Sequence, residues 1–200
     1  MYTLHSFSQR KQLLQGVTDP VLKKGVCVAA CDVWLRLIKT NNEQPAAQRL
    51  QDLLSRRAEI LAYQQNYGVL RGHVGPEDAR STVGQSGGLD FDHQTTIMHT
   101  HLRMPEVLSI LSRDLQPLGG AAAWSMRFWG GGGHAIAGFH NVVTLIKDVQ
   151  AQHQYNVFDP NLGEYVGDLS DLSAILSDLF GRFPLYGTTA EIRRAWEGRH

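Results

Sequence analysis

The stretch Ala121–Phe158, AAAWSMRFWGGGGHAIAGFHNVVTLIKDVQAQHQYNVF, decides the fold class. It contains three short β-prone runs, Ala121–Trp129, His134–Thr144 and Gln154–Phe158, separated by the glycines 130–133 and by the polar segment QAQHQ. Consecutive short runs of this kind predict strands linked by hairpins, and hairpin links build an antiparallel sheet. Gly163–Val166 predicts one more strand in the same series.

Upstream of this stretch the pattern is helical. From Val26 to about Lys39 the residues Val26, Ala29, Ala30, Val33, Trp34, Leu37 and Ile38 follow the i, i+3, i+4 rule, and Thr40-Asn41-Asn42 ends the run. A longer helix is predicted over 45–66, with Leu50, Leu53, Leu54 and Leu61 inward and Arg49, Arg56, Arg57 and Glu59 on the wet side. Pro45 marks its start and Gly68 its end. Residues 71–95, polar and rich in glycine, read as a long surface excursion, and 104–115 as a third helix entered through Pro105. The first twenty-five residues read as a helical lead-in, capped at Asp19-Pro20 and broken by Gly25. Two helices are predicted to close the chain, about 169–180 and about 189–197, the second opened by the capping-box pattern Thr188-Thr189-Ala190-Glu191. Helices first, strands next and helices last give an α+β domain, expected to be single over residues 1–200.

A chain of 200 residues can bury a full core without disulfides or metal. Nineteen basic and nineteen acidic side chains cancel, which argues against an electrostatic nucleic-acid binder. No apolar run approaches the length of a membrane span. The opening MYTLHSFSQRKQLL lacks the apolar core of a secretory signal, so any export is expected to use a route independent of a signal peptide.

Cys27 and Cys31 are the only cysteines, one helical turn apart, so no disulfide framework or zinc site is expected. Cys27 falls where the central helix begins, and free N–H groups and the positive end of the helix dipole lower the pKa of a thiol there. Such a thiol can act as a nucleophile or simply pack as a small hydrophobe. Cys31, one turn deeper, reads as packing. His134 opens an apolar strand behind four glycines and could serve as base, with His140 on the same face toward the far end as its rival. His99 and His101 form an HxH pair without a suitably spaced third metal ligand. Asp159 ends a strand in Phe158-Asp159-Pro160-Asn161-Leu162-Gly163-Glu164-Tyr165, a turn sequence that can pair back toward the histidine strand and bring the carboxylate beside an imidazole.

Gly25-Val26-Cys27 with Trp34, Gly133-His134-Ala135, and the Asp159 segment with its Asn-x-Gly-Glu-aromatic tail together resemble the YopT-type cysteine proteases of bacterial effectors, within the papain superfamily. The resemblance spans about residues 20–167 and is carried by these short motifs. It implies a papain-like fold, with a nucleophile-bearing helix packed on an antiparallel sheet. It also implies a Cys27–His134–Asp159 triad that cleaves an amide bond, and a secreted protein acting inside another cell. No metal or organic cofactor is called for. The expected partner is a protein or peptide substrate, with an immunity protein or chaperone as a further possibility. One departure stands out. The amide that papain-like enzymes place a few residues before the nucleophile is missing from Val21-Leu22-Lys23-Lys24; Gln15 lies farther upstream, and Lys23, Lys24 or a loop N–H are substitutes. Two other functions fit the same residues: an amidase of cell-wall peptide used between bacteria, and a catalytically silent binding module that engages a partner through 71–95.

Overall fold

A seven-stranded antiparallel sheet organises the chain, and helices cover both of its faces. The computed structural model describes residues 1–97, 104–144 and 151–197. The strands are β1 (Thr3–Ser6), β2 (Phe91–Ile97), β3 (Ala121–Phe128), β4 (Gly133–Thr144), β5 (Ala151–Asp159), β6 (Gly163–Gly167) and β7 (Thr189–Glu197). Their order across the sheet is β1-β6-β5-β4-β3-β7-β2. The helices are α1 (Cys27–Thr40), α2 (Ala46–Ser55), α3 (Arg57–Val74), α4 (Pro76–Ser86), α5 (Met104–Asp114) and α6 (Leu172–Arg182). This is the α+β architecture expected from the sequence.

Helix α1 lies against β4, in the middle of the sheet. Small residues permit the close approach, with Ala29 and Ala30 on the helix and Ala135 and Ala137 on the strand, all fully buried. Trp34 then stacks on Phe158 of β5, ring centroids 5.4 Å apart and planes within 13°. The other face of the sheet buries Trp124, Ile136, Val157 and Tyr165 under α5 and α6.

Two buried ion pairs fasten the helices of the first face. Glu164 of β6, wholly buried, accepts from Arg49 Nη2 of α2 at 2.6 Å and from Trp34 Nε1 of α1 at 2.9 Å. Asp32 of α1 pairs with Arg80 of α4 and accepts from the Tyr63 hydroxyl of α3 at 2.6 Å. Arg49 was expected on the wet side of its helix; it is instead 2% exposed, because Glu164 draws it inward.

Several local expectations are overturned. The chain begins with β1 paired to β6, and the expected helical lead-in is limited to the short turns Gln9–Leu13 and Leu22–Lys24, the second capped by Asp19 and ended by Gly25. That pairing requires Gly163, whose φ is +129° and where a Cβ would stand 2.0 Å from the His5 carbonyl oxygen. The long helix over 45–66 is two helices that meet at Arg56, and Gly68 lies inside the second. Gly68 admits the side chain of Val21, which a Cβ there would meet at 2.8 Å. Residues 71–95 are not a surface loop. They finish α3, turn at Gly75 (φ +91°), form α4 from Pro76 and enter β2.

Residues 189–197 are a strand, not a helix, inserted between β3 and β2. Pairing along both edges overrides the local capping pattern, and the Thr189 hydroxyl donates to the Tyr186 carbonyl instead of capping a helix.

The Glu164–Arg49 pair gives a stability prediction. Removing one partner strands a buried charge, so Arg49→Met should cost about 3–5 kcal/mol, read as a shift in urea midpoint at constant m. Adding Glu164→Leu to that variant should restore most of the loss.

Candidate active site

Gly25, at φ +121°, closes the short helical turn Leu22–Lys24 and sets the direction of α1, whose first residue is Cys27. The Val26 N–H donates to Gln9 Oε1 at 2.8 Å. The Gln9 side chain then donates through Nε2 to Asn161 Oδ1 at 2.8 Å, and its backbone N–H donates to the Pro160 carbonyl at 2.6 Å. Gln9 therefore ties the start of α1 to the turn that follows Asp159.

His134, the second residue of β4, is buried with its Nε2 3.2 Å from Asp159 Oδ1. The Cys27 side chain interacts with the same ring, and both residues line one cleft. Since Nε2 faces the carboxylate, Nδ1 is the nitrogen left for sulfur. Phe183 and Tyr186 stack near-parallel to the imidazole, each with its centroid 5.7 Å away. Asp159 is wholly buried at the end of β5 and, besides the contact with His134, accepts from the Asn161 N–H at 2.6 Å and from the Tyr186 hydroxyl.

These contacts set the charges. Burial by itself would raise the Cys27 pKa, but the hydrogen bond and charge of His134, with the N–H groups of Ala135 and Val28, outweigh it and lower the value. Burial by itself would lower the His134 pKa; the charge and hydrogen bond of Asp159, joined by Cys27, raise it above the ordinary imidazole value. Asp159 is held below the ordinary carboxylate range, since His134, Tyr186 and the Asn161 N–H overcome the effect of its burial. Both shifts favour the charged forms, thiolate on Cys27 and imidazolium on His134.

The structure brings Cys27, His134 and Asp159 together and separates their rivals. Cys31 is fully buried, and burial pushes its thiol pKa well above the ordinary value. His140, at the far end of β4, is hydrogen-bonded to the Pro117 carbonyl at 3.1 Å and to His153 at 2.9 Å. His99 and His101 lie outside the described residues. Among the described residues no cluster of three His, Cys, Asp or Glu side chains could hold a metal.

Gln15 is exposed and does not line the cleft at Cys27; the amide that reaches the site is Gln9, which the sequence reading passed over. Nothing in local sequence marks Gln9, because it approaches from a π-helical turn (Gln9–Leu13) well before the nucleophile. Tyr186 was missed for the same reason. The cleft itself has a volume of about 420 Å³, and Gln9, Cys27, Gly133, His134 and Asn161 are among its lining residues.

A profile of the peptidase family described as Yersinia/Haemophilus virulence surface antigen matches residues 2–185. The chain belongs to this family, the YopT-type cysteine proteases. No individually curated protein matches it by sequence. Among solved structures it is similar to the Pseudomonas avirulence protein AvrPphB, with a TM-score of 0.65 and 20% identity over 90% of this chain and 95% of that one. It is also similar to the ubiquitin-specific protease of a murine cytomegalovirus tegument protein, with a TM-score of 0.50 and 13% identity over 100% of this chain and 88% of that one. The fold is that of the papain-like cysteine proteases, and the family is one of bacterial virulence effectors. No helix among the described residues is long and apolar enough to cross a membrane.

The pKa directions predict how the thiol reacts. Because the Cys27 value is lowered, its alkylation by iodoacetamide should persist as pH falls well below the ordinary thiol value of 9.0. Peptide mapping should place the label on Cys27, and His134→Ala should move the midpoint upward. Equal midpoints in the two proteins would contradict the coupling.

Proposed function

We propose that Cys27, His134 and Asp159 form the catalytic triad of a protease that hydrolyses an amide bond in a protein substrate. The observation that carries this reading is His134 held 3.2 Å from a wholly buried Asp159 and interacting with Cys27 on the first turn of α1. The thiolate of Cys27 attacks the scissile carbonyl carbon, and the carbonyl oxygen becomes an oxyanion. Two donors are positioned for it: the Cys27 N–H, which has no intrahelical acceptor at a helix start, and the second hydrogen of Gln9 Nε2. The first hydrogen of Nε2 is taken by Asn161, and Oε1 by Val26, so the orientation of the amide is fixed.

As the tetrahedral intermediate collapses, the C–N bond breaks and the imidazolium of His134 protonates the leaving amine. The product is a thioester on Cys27. Water then attacks it, giving its proton to His134, and the acid leaves as the thiolate re-forms. Asp159 holds the ring with Nε2–H toward itself and stabilises its positive charge, while Tyr186 and the Asn161 N–H fix the carboxylate. The 200 residues act as one domain in this reading, delivered by secretion into a target cell.

Cys27→Ala should abolish peptide hydrolysis while preserving the circular dichroism spectrum and urea midpoint. His134→Ala should be as damaging, and His140→Ala nearly silent. Gln9→Ala should lower kcat by about 10²-fold with a smaller change in KM, as expected for loss of an oxyanion donor. If His140→Ala is the inactive variant and His134→Ala is not, the base is misassigned.

Compartment supplies a separate check. Toxicity that requires Cys27 should arise when the chain is made in the cytosol of the target cell. Lysis seen only after export to a bacterial periplasm would replace the protein substrate with cell-wall peptide.

A further inference from the structure

Apart from the Cys27–His134 pair, the charged side chains that line the cleft are all positive. Arg10, from the turn Gln9–Leu13, and Lys23 and Lys24, from the turn Leu22–Lys24, line it with exposed side chains, and among the described residues no carboxylate lines it. A chain whose charges cancel overall thus places three cations beside its reactive thiol. The turn that carries the lysines is fixed. Asp19 accepts the N–H groups of Val21 and Leu22 at 2.7 and 3.0 Å, and Gln65 Nε2 donates to its second oxygen at 3.2 Å. That carboxylate, the nearest one in sequence, is therefore occupied in building the turn. Its remaining lining includes the glycines 131–133 with Phe128, Phe183 and the half-exposed Leu185.

The geometry points to an acidic peptide segment of a protein as the substrate, its Asp or Glu carboxylates along Arg10, Lys23 and Lys24 and an apolar side chain against Phe183 and Leu185. This assignment rests on the peptide hydrolysis proposed above and names the substrate class that the cleft selects. Single exposed ion pairs contribute little, so the preference comes from three cations acting together on a concave wall. Salt should weaken it, because exposed charges are screened within about 10 Å at 0.1 M. The glycine wall leaves room for the backbone of an extended chain beside His134.

The test uses the full chain, the double variant Lys23→Glu/Lys24→Glu, and Arg71→Glu, an exposed charge reversal on α3 away from the cleft. The first readout is the alkylation rate of Cys27 by iodoacetate relative to iodoacetamide. The ratio should fall about fivefold in the double variant and stay unchanged in Arg71→Glu.

The second readout is turnover of internally quenched peptide pools that carry Asp/Glu, Ser/Thr or Lys/Arg around a randomised centre. The acidic pool should be cleaved at least about fivefold faster, with the preference lost in the double variant and reduced between roughly 50 and 500 mM NaCl. Equal turnover of all pools, or a preference that survives the charge reversal, overturns the acidic-substrate inference and leaves the protease assignment standing. Cleavage of acidic cell-wall stem peptides in place of protein-derived ones overturns the protein source. If no pool is cleaved, the protease assignment falls, and the substrate inference with it.

Discussion

Everything at the site depends on where α1 sits over β4. The first turn of that helix must arrive at the end of the strand where His134 emerges, and a shift of about 1 Å would break the contact between sulfur and imidazole. Two buried ion pairs hold the helix from different sides, Glu164–Arg49 with Trp34 and Asp32–Arg80 with Tyr63. The alanines on both surfaces set the depth.

The same arrangement explains the charge state. Desolvation alone would keep the Cys27 thiol protonated and the buried His134 imidazole neutral. Each is shifted the opposite way because the other stabilises its charged form, and for His134 the Asp159 carboxylate adds the larger share. Asp159 tolerates its own burial because its oxygens are engaged by His134, Tyr186 and the Asn161 N–H. Gln9 closes the circuit. It joins the turn after Asp159 to the residue before Cys27, so the two ends of the triad are tied together independently of the histidine.

The parts of this protein legible in sequence are those encoded locally. The apolar stripe of α1, the runs of β3 and β4 and the turn after Asp159 announce themselves through periodicity and turn chemistry, and Cys27, His134 and Asp159 lie on them. The Glu164 of the motif has a structural explanation that its spacing did not disclose: it is the buried acceptor for Arg49 and Trp34. What could not be read is what depends on distant pairing. Residues 189–197 carry a helix-start signal yet lie between two strands, and Arg49 looks like a surface charge until β6 is brought to it. Gln9 and Tyr186 reach the site from opposite ends of the chain, where no local pattern points to it.

The central claim is that Cys27 carries the acyl group. Acid quenching of the protein during turnover of a peptide ester, followed by intact-mass measurement and mapping, tests it directly. The account predicts one acyl adduct per chain, as a thioester on Cys27, and no adduct in Cys27→Ala. An adduct on Cys31 or on a hydroxyl, or turnover that survives Cys27→Ala, would contradict it.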